Sequence, residues 1–148
     1  MAVLLVRHAV AVARHRWAGA DDERPLTDRG RAQADALVGQ LLPLGPTDVA
    51  SSPSRRCVDT VAPLAAAAGL EVRAAGALAE GHGEAAADLV RTLLAAPGTA
   101  VLCTHGDVIP DVLDALGVEA ESCQKGSTWV LDAGGAGRAR GRYLPPPA

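Results

Sequence analysis

The sequence has no long hydrophobic run and no excess of positive charge. Although 49% of its 148 residues are hydrophobic, no apolar stretch approaches the roughly 18 residues that a membrane-spanning helix needs. The apolar run at residues 2–6 is too short for the core of a signal peptide and has no basic region before it. We therefore expect a cytoplasmic protein with no membrane partner. The net charge of −3 provides no broad positive field, so we expect no nucleic-acid partner.

Cysteine and lysine are also scarce. The three cysteines form no CxxC pair and are odd in number, which argues against a disulfide framework. Six positions after Cys57 and Cys103 stand Pro63 and Ile109 rather than arginine, so the loop of a thiolate phosphatase is absent. Lys125 is the only lysine, and arginine, the better bidentate phosphate ligand, supplies the remaining positive side chains. For the arginines as a group, codon bias in a G+C-rich genome is the better explanation.

Helix and strand patterns alternate along the chain. This alternation predicts a single domain over residues 1–148 with an α/β fold, a three-layer α/β/α sandwich around a mostly parallel sheet. The predicted strands cover residues 2–6, 47–51, 71–73, 99–103, 127–132 and 138–144, the last two joined as a hairpin by a Gly-rich turn at 133–137. The predicted helices run from Thr27 to Pro43 and over 55–68, 84–95 and 108–116, with a loop at 74–83.

Two of the buried strands end in the same way. The strand at residues 2–6 leads into Arg7-His8, and the strand at residues 99–103 leads into Thr104-His105. Because ligands bind outside the carboxyl ends of the strands in a doubly wound sheet, both histidines are expected where a site belongs. A single histidine after a strand is more often structural, whereas two at equivalent positions point to function.

Arginines near the strand ends suggest that the site binds an anion. A charge placed directly after a buried strand needs an anionic partner, which for Arg7 is either an internal carboxylate or a bound phosphate. The segment from Ser51 to Arg56 leads from a strand into a helix N-terminus, where backbone N–H groups and a guanidinium together favour an anion. These residues indicate a phosphate site.

Three segments resemble the signatures of the histidine phosphatase superfamily, also called phosphoglycerate mutase-like. They are Leu5-Val6-Arg7-His8-Ala9, the run from Ser51 to Thr60, and Thr104-His105-Gly106. The chain is similar to SixA-type phosphohistidine phosphatases in its short length and in the sequence of residues 24–30. Other positions resemble the histidine phosphatase domain of mycobacterial MutT-type proteins; these are Trp17, Asp22, residues 24–26 and residues 125–130. No Nudix signature is present, so we expect that module standing alone.

The resemblance implies a phosphoglycerate mutase-like fold and a phosphatase reaction. His8 would be the nucleophile that carries a phosphohistidine intermediate, Arg7 and Arg56 would bind phosphate, and His105 would complete the pocket. No metal and no cofactor are implied. Two cationic arginines are expected to lower the pKa of His8 and keep its ring neutral near pH 7.

Two assignments depend on position in the family pattern. The family places an arginine four positions before a threonine, so Thr60 selects Arg56, and Arg55 is expected to be a solvated helix residue. Family members that act on alkyl phosphates use an acidic residue to protonate the leaving group. Glu80 matches that position best, with Glu84 close by as the alternative.

The short chain between Arg56 and His105 leaves little room for the helical insertion that covers the site in larger mutases. We therefore expect an open pocket that takes a phosphorylated protein, such as a phosphohistidine protein, or a small phosphorylated metabolite. Residues 14–17 are candidates for its rim, although ordinary surface placement is the better expectation for each of them singly.

The leading interpretation is a phosphohistidine phosphatase, SixA-like in its activity. One alternative is a phosphomonoesterase for nucleotide- or sugar-derived phosphates, and a mutase is disfavoured because it needs an enclosed site. The other alternative is a non-catalytic phosphate-binding module. The presence of Arg7, His8, Arg56 and His105 together argues against that module.

Overall fold

A computed structural model of the chain describes residues 1–134 and 138–147. Within them, the strands are β1 (Ala2–Arg7), β2 (Asp48–Ser51), β3 (Val72–Ala74), β4 (Thr99–Thr104), β5 (Thr128–Ala133) and β6 (Ala139–Leu144). The α-helices are α1 (Asp28–Leu41), α2 (Arg55–Ala68), α3 (Gly83–Leu94) and α4 (Val108–Ala115). In these described ranges no helix is both long and apolar enough to cross a membrane.

The strands form one mixed sheet in the order β3-β2-β4-β1-β5-β6. The first four run parallel, whereas β5 pairs antiparallel with both β1 and β6. The central strands β1 and β4 are buried along their lengths, as expected from their continuous apolar sequences. The predicted mostly parallel sheet and the terminal hairpin are both confirmed. Of the predicted hairpin turn, residues 135–137 lie outside the described residues.

Helices cover both faces of this sheet, which confirms the three-layer arrangement. Alternate side chains of β1 point to opposite faces: Leu4 and Val6 join the core beneath α1 and α2. Val3 and Leu5 join the larger core beneath α3 and α4. Because both faces bury apolar side chains, the polar residues that follow the strands lie at the open carboxyl edge of the sheet.

The helix boundaries follow local signals. Thr27 caps α1 by accepting the N–H of Gly30 at 3.0 Å, a standard N-cap contact. Pro63 does not interrupt α2, which continues to Gly69, a residue in the left-handed conformation at φ 70° that stops the helix. The observed strand ends fall within one residue of the predicted ones.

The segment at residues 74–83, predicted as a loop, is only partly irregular. Ala74 completes β3, Gly76–Leu78 forms a 3-10 helix, and α3 begins at Gly83. Leu78 is fully buried in the core beneath α3 and α4. A single apolar side chain in an Ala- and Gly-rich stretch therefore anchors the segment to the sheet. This is a tertiary contact, and the hydrophobic periodicity of the sequence does not predict it.

Candidate active site

The pairing of β1 with β4 brings the two predicted histidines together. Arg7 lies opposite Thr104 in the parallel register, and the N–H of His8 donates to the Thr104 carbonyl oxygen at 3.1 Å. The rings of His8 and His105 consequently meet edge to face, with centroids 5.6 Å apart. Both side chains are buried, so they face each other at the carboxyl edge of the sheet.

The orientation of the His8 ring is set by its own loop. Nδ1 lies 2.8 Å from the carbonyl oxygen of Ala9, and because a carbonyl can only accept, Nδ1 carries the proton. The N–H of Ala9 in turn donates to Thr60 Oγ1 at 2.9 Å. Nε2 of the neutral ring is therefore left with its lone pair free, which is the state a nucleophilic histidine needs.

The surroundings of His8 keep its ring neutral. Burial is the main cause that lowers its pKa from 6.5 to about 3, and the hydrogen bond to Ala9 opposes the shift. The positive charges of Arg56 and Arg7 and the nearby His105 lower it further. The predicted direction is confirmed, but burial contributes more than the two arginines to which the sequence attributed the effect.

This shift predicts a pH-dependent stability. Between about pH 6.5 and pH 3 the unfolded chain binds a proton at His8 and the folded chain does not. The contribution of the neutral ring is therefore complete above pH 6.5 and is lost as the pH falls toward 3. At about 1.4 kcal/mol per pH unit, the wild-type protein should lose about 3 kcal/mol more than His8→Gln between pH 6.5 and pH 4. Urea unfolding of both proteins at each pH measures the difference, and parallel pH profiles would contradict the burial of an uncharged His8.

Arg7 extends from the end of β1 across Gly106. Its Nη1 donates to the Cys123 carbonyl oxygen at 2.5 Å, and Nε is buried with no hydrogen-bond partner among the described residues. A Cβ at position 106 would lie 2.7 Å from the Arg7 guanidinium carbon, so glycine permits this close approach. Of the two partners expected for Arg7, the structure provides no internal carboxylate within the described ranges; the contact is a backbone carbonyl.

Arg56 is fully buried in the first turn of α2. Its Nη1 donates to the backbone carbonyl oxygen of Asp21 at 3.0 Å, and Nη2 donates to Glu80 Oε1 at 2.5 Å. Nη2 also lies 3.3 Å from the Asp21 carboxylate. Charge-assisted contacts of this kind hold a guanidinium in one orientation, so Arg56 is presented to the site as a fixed cation.

The spacing between Arg56 and Thr60 has a structural meaning. Thr60 Oγ1 donates to the carbonyl oxygen of Arg56 at 2.7 Å, one helical turn earlier, while it accepts the N–H of Ala9. The same hydroxyl therefore joins α2 to the loop that carries His8. Arg55 is exposed and pairs with Asp59 at 3.4 Å, which confirms its prediction as a solvated helix residue.

His105 is held through both of its ring nitrogens. Nε2 lies 2.8 Å from Ser52 Oγ, and Nδ1 lies 3.3 Å from Arg56 Nη2 and 3.4 Å from Glu80 Oε1. A ring tied at both ends keeps one plane. The structure therefore places His105 in direct contact with the groups expected to surround a phosphate.

Glu80, rather than Glu84, joins these residues. Its Oε1 accepts from Arg56 and also from Arg14 Nη2 at 3.2 Å. Glu84 is exposed on α3 and lines a different cavity. The 3-10 helix at Gly76–Leu78 directs the chain back to the sheet edge and so delivers Glu80 to the site.

A pocket of about 360 Å³ opens over the histidines. Its charged lining comprises Arg7, Arg14, Arg24, Lys125, Glu80 and Asp107. Of the predicted rim residues, Arg14 lines this pocket and Trp17 lines an adjoining cavity of about 430 Å³. Four cationic side chains against two carboxylates give the lining of the pocket an excess of positive charge, which favours an anion. The described residues contain no group of three or more His, Cys, Asp or Glu side chains that could hold a metal ion.

Asp21 is the main site residue that the sequence did not reveal. Its Oδ1 accepts from Arg14 Nε at 3.0 Å and from Arg24 Nε at 3.1 Å. Burial raises the pKa of Asp21, but the hydrogen bond from Arg24 and the charge of Arg56 outweigh it and hold that pKa below its usual value. The acidic run at residues 21–23 was a signal, although such runs usually mark a solvated turn.

The family of the chain follows from a match to a family model. The model of the histidine phosphatase superfamily (branch 1) matches residues 3–92. The chain belongs to the histidine phosphatase superfamily. Arg7, His8, Arg56 and Glu80 lie inside the matched range, and His105 lies beyond its end. The predicted membership of this superfamily is thereby confirmed, and the first two of the three resembling segments lie within the match.

A curated relative and two solved structures add detail. The chain is 37% identical over 155 residues to an 8-oxo-(d)GTP phosphatase of Mycolicibacterium smegmatis, a match over 98% of this chain and 48% of the relative. The chain thus spans about half the length of the curated relative.

The protein histidine phosphatase SixA complexed with tungstate has a TM-score of 0.82 at 17% identity, over 96% of this chain and 94% of that one. The mycobacterial glucosyl-3-phosphoglycerate phosphatase in its native form has a TM-score of 0.79 at 19% identity, over 99% of both chains. At such identities the structural similarity confirms the predicted fold.

Proposed function

We propose that the chain is a phosphatase that transfers a phosphoryl group to His8 and then to water. The observation that carries this proposal is the state of the His8 ring. Nδ1 donates to Ala9, the pKa is too low for protonation at neutral pH, and the free Nε2 belongs to a pocket lined by cations. A neutral imidazole beside fixed positive charges is suited to attack a phosphate dianion.

The remaining residues have roles in charge stabilisation. A transferring phosphoryl group carries negative charge on three equatorial oxygens, so fixed donors around it lower the barrier. Arg7 has donors that no described residue uses, and Arg56 and His105 lie against each other at 3.3 Å. Arg7 and Arg56 each have an Nε without a hydrogen-bond partner among the described residues, so these two would donate to the oxygens. His105, tied at both ring nitrogens, would hold Arg56 beside them while Nε2 of His8 forms the new bond to phosphorus. Water then hydrolyses the phosphohistidine and restores the neutral ring.

Glu80 is proposed as the acid that assists leaving groups. Its carboxylate borders the pocket and contacts Arg56 and Arg14. Oε1 is engaged by both guanidiniums, so Glu80 would act as the acid only in its protonated form, with the proton on Oε2. That proton would pass to the leaving-group oxygen as its bond to phosphorus breaks. Leaving groups that need little protonation, such as the imidazole of phosphohistidine, would depend on Glu80 least.

The first substrate class is a phosphohistidine protein. The pocket is bordered by the exposed side chains of Arg14, Asp107 and Lys125. Helix α3 lies between α2 and β4 in the chain, and it packs in the core beneath the sheet and contacts α4 rather than covering the pocket. A pocket that opens to the surface over the buried nucleophile suits a side chain presented by another protein. The structural similarity to the protein histidine phosphatase SixA supports this class.

The second class is a small nucleotide-type phosphate. It is favoured by one observation, the 37% identity to an 8-oxo-(d)GTP phosphatase over nearly the whole chain. The shared part is about half of that relative, so its activity is transferred to this chain only as a proposal.

Trapping of the intermediate tests the proposed reaction. After brief incubation with a labelled phosphate ester, wild-type protein quenched in alkali should carry label that acid releases, and peptide mapping should place it on His8. A panel of phosphohistidine protein, nucleotides and sugar phosphates compared by kcat/KM then ranks the substrate classes. Turnover with label on another residue, or with no trapped label in a rapid-quench experiment, would refute the covalent route through His8.

A further inference from the structure

A second, larger cavity adjoins the pocket of His8. It has a volume of about 810 Å³ and is lined by the start of α1, by residues Gln124 and Lys125, and by Pro145, Pro146 and Pro147. Arg7 and Lys125 line both this cavity and the pocket over the histidines. We call it the proline groove. Because two side chains are shared, an anion in the groove would be the immediate neighbour of a phosphate at His8.

The charge of the proline groove has one sign. Its ionisable lining consists of Arg7, Arg29 and Lys125, without an acidic side chain. Arg29 and Lys125 are exposed, and neither forms an ion pair within residues 1–134 and 138–147. Clustered cations with no carboxylate between them repel one another and gain stability when an anion binds. The pocket over His8, by contrast, contains Glu80 and Asp107.

Hydrogen bonds join the lining of the groove to the segment that follows β1. Gln33 Oε1 accepts the N–H of Val10 at 3.0 Å, and its amide nitrogen lies 3.4 Å from the Lys125 carbonyl oxygen. The N–H of Gly126 points to the carbonyl oxygens of both Arg7 and His8 at 3.1 Å. Gly126 has a φ of 82°, a conformation that favours glycine. These contacts join the backbone of Lys125 to that of His8, so one wall of the groove is continuous with the segment that carries the nucleophile.

We propose that the proline groove binds a second phosphate of the substrate, joined to the transferred one by a single bridging oxygen as in a nucleoside diphosphate. This inference rests on the proposed function and names its substrate class. Arg7 would lie between the two phosphates, with Arg29 and Lys125 on the second. The apolar wall of Pro145, Pro146 and Pro147 would lie beside the nucleoside portion.

The chemistry of such a substrate agrees with the site. Nε2 of His8 forms a bond to the terminal phosphorus, and the bond from that phosphorus to the bridging oxygen breaks. The electron pair leaves with the second phosphate, which is a stable anion and needs no proton. Glu80 Oε1, which already accepts from Arg56 and Arg14, can therefore remain in those contacts throughout. Water then cleaves the phosphohistidine to inorganic phosphate.

Binding of two non-hydrolysable phosphonates tests the inference. Methylenediphosphonate carries two linked phosphonates and methylphosphonate carries one, and titration calorimetry of each against the full chain gives a ratio of affinities. We expect methylenediphosphonate to bind about tenfold more tightly, since it adds charge-assisted contacts. Arg29→Gln should reduce that ratio about fivefold. The matched control is Arg31→Gln, because Arg31 lies on the same helix but pairs with Asp28 outside the groove.

Turnover measurements separate this inference from the proposed function. The ratio of kcat/KM for a nucleoside diphosphate to that for an aryl phosphate should fall in Arg29→Gln and stay constant in Arg31→Gln. Equal affinity for both phosphonates, or an equal effect of both substitutions, would overturn the inference while leaving aryl phosphate hydrolysis intact. If Arg29→Gln impaired only the hydrolysis of a phosphohistidine protein, the groove would be a protein contact and the inference would be wrong. Absence of all hydrolysis despite Arg29-dependent binding would contradict the proposed function, and with it the assignment of the groove to a substrate.

Discussion

His8→Ala is expected to lower hydrolysis of an aryl phosphate by about a thousandfold or more, because the variant has no nucleophile to form the intermediate. The cationic pocket remains in the variant, so substrate binding should change far less than kcat. His8 makes one side-chain hydrogen bond, to Ala9, and the apolar core on both sides of the sheet does not depend on it. The chain should therefore stay folded, and steady-state kinetics beside circular dichroism and thermal unfolding measures both outcomes.

A second histidine provides the matched control. His82 is exposed, and its ring contacts the Gly76 carbonyl oxygen. His82→Ala should retain activity within about twofold, as expected for an exposed residue away from the nucleophile. Undiminished activity in folded His8→Ala protein would exclude His8 as the nucleophile. Equal losses in both variants would show that the assay reports general damage to the protein rather than loss of the nucleophile.

Arg56→Met should lower kcat/KM by about a hundredfold, since removal of one preorganised donor to a developing charge typically costs that much. Methionine has a similar length and fills the buried space, but it leaves Asp21 and Glu80 without the cation that joins them. Arg56→Lys keeps the charge but cannot contact both carboxyl-bearing residues through a planar fork. The kcat/KM of Arg56→Lys should be about tenfold higher than that of Arg56→Met and should stay below that of the wild-type protein.

Arg55 provides the comparison for this prediction. It precedes Arg56 in α2, is exposed, and pairs with Asp59. Arg55→Met should change kcat/KM less than about twofold. Full activity in Arg56→Met would remove Arg56 from the phosphate site. A loss accompanied by a large fall in the unfolding midpoint, with no change in kcat of the folded fraction, would make its role structural.

Local patterns were enough to predict the fold and the parts of the site that follow strands. The apolar runs of β1 and β4 are buried on both faces, and a run of that kind predicts a central parallel strand by itself. Residues that end neighbouring parallel strands must share one edge of the sheet. The proximity of His8 and His105 therefore followed from the sequence. The family pattern, an arginine four positions before Thr60, selected Arg56, which the structure buries beside His105.

The features that depend on long-range contacts were decided only by the tertiary structure. Asp21 joins Arg14 and Arg24, which are near it in the chain, to Arg56, which is 35 positions away. An acidic turn contains no information about that distant cation. The low pKa of His8 comes mainly from burial, a property of packing on all sides that a strand-end motif does not encode. The proline groove likewise forms where α1, the loop before Gly126 and the C-terminal prolines converge. The sequence determined which groups are candidates for the reaction, because those groups follow from local pattern. The fold determined their protonation, their partners and the cavity proposed as a second anion site, because these depend on distance in space.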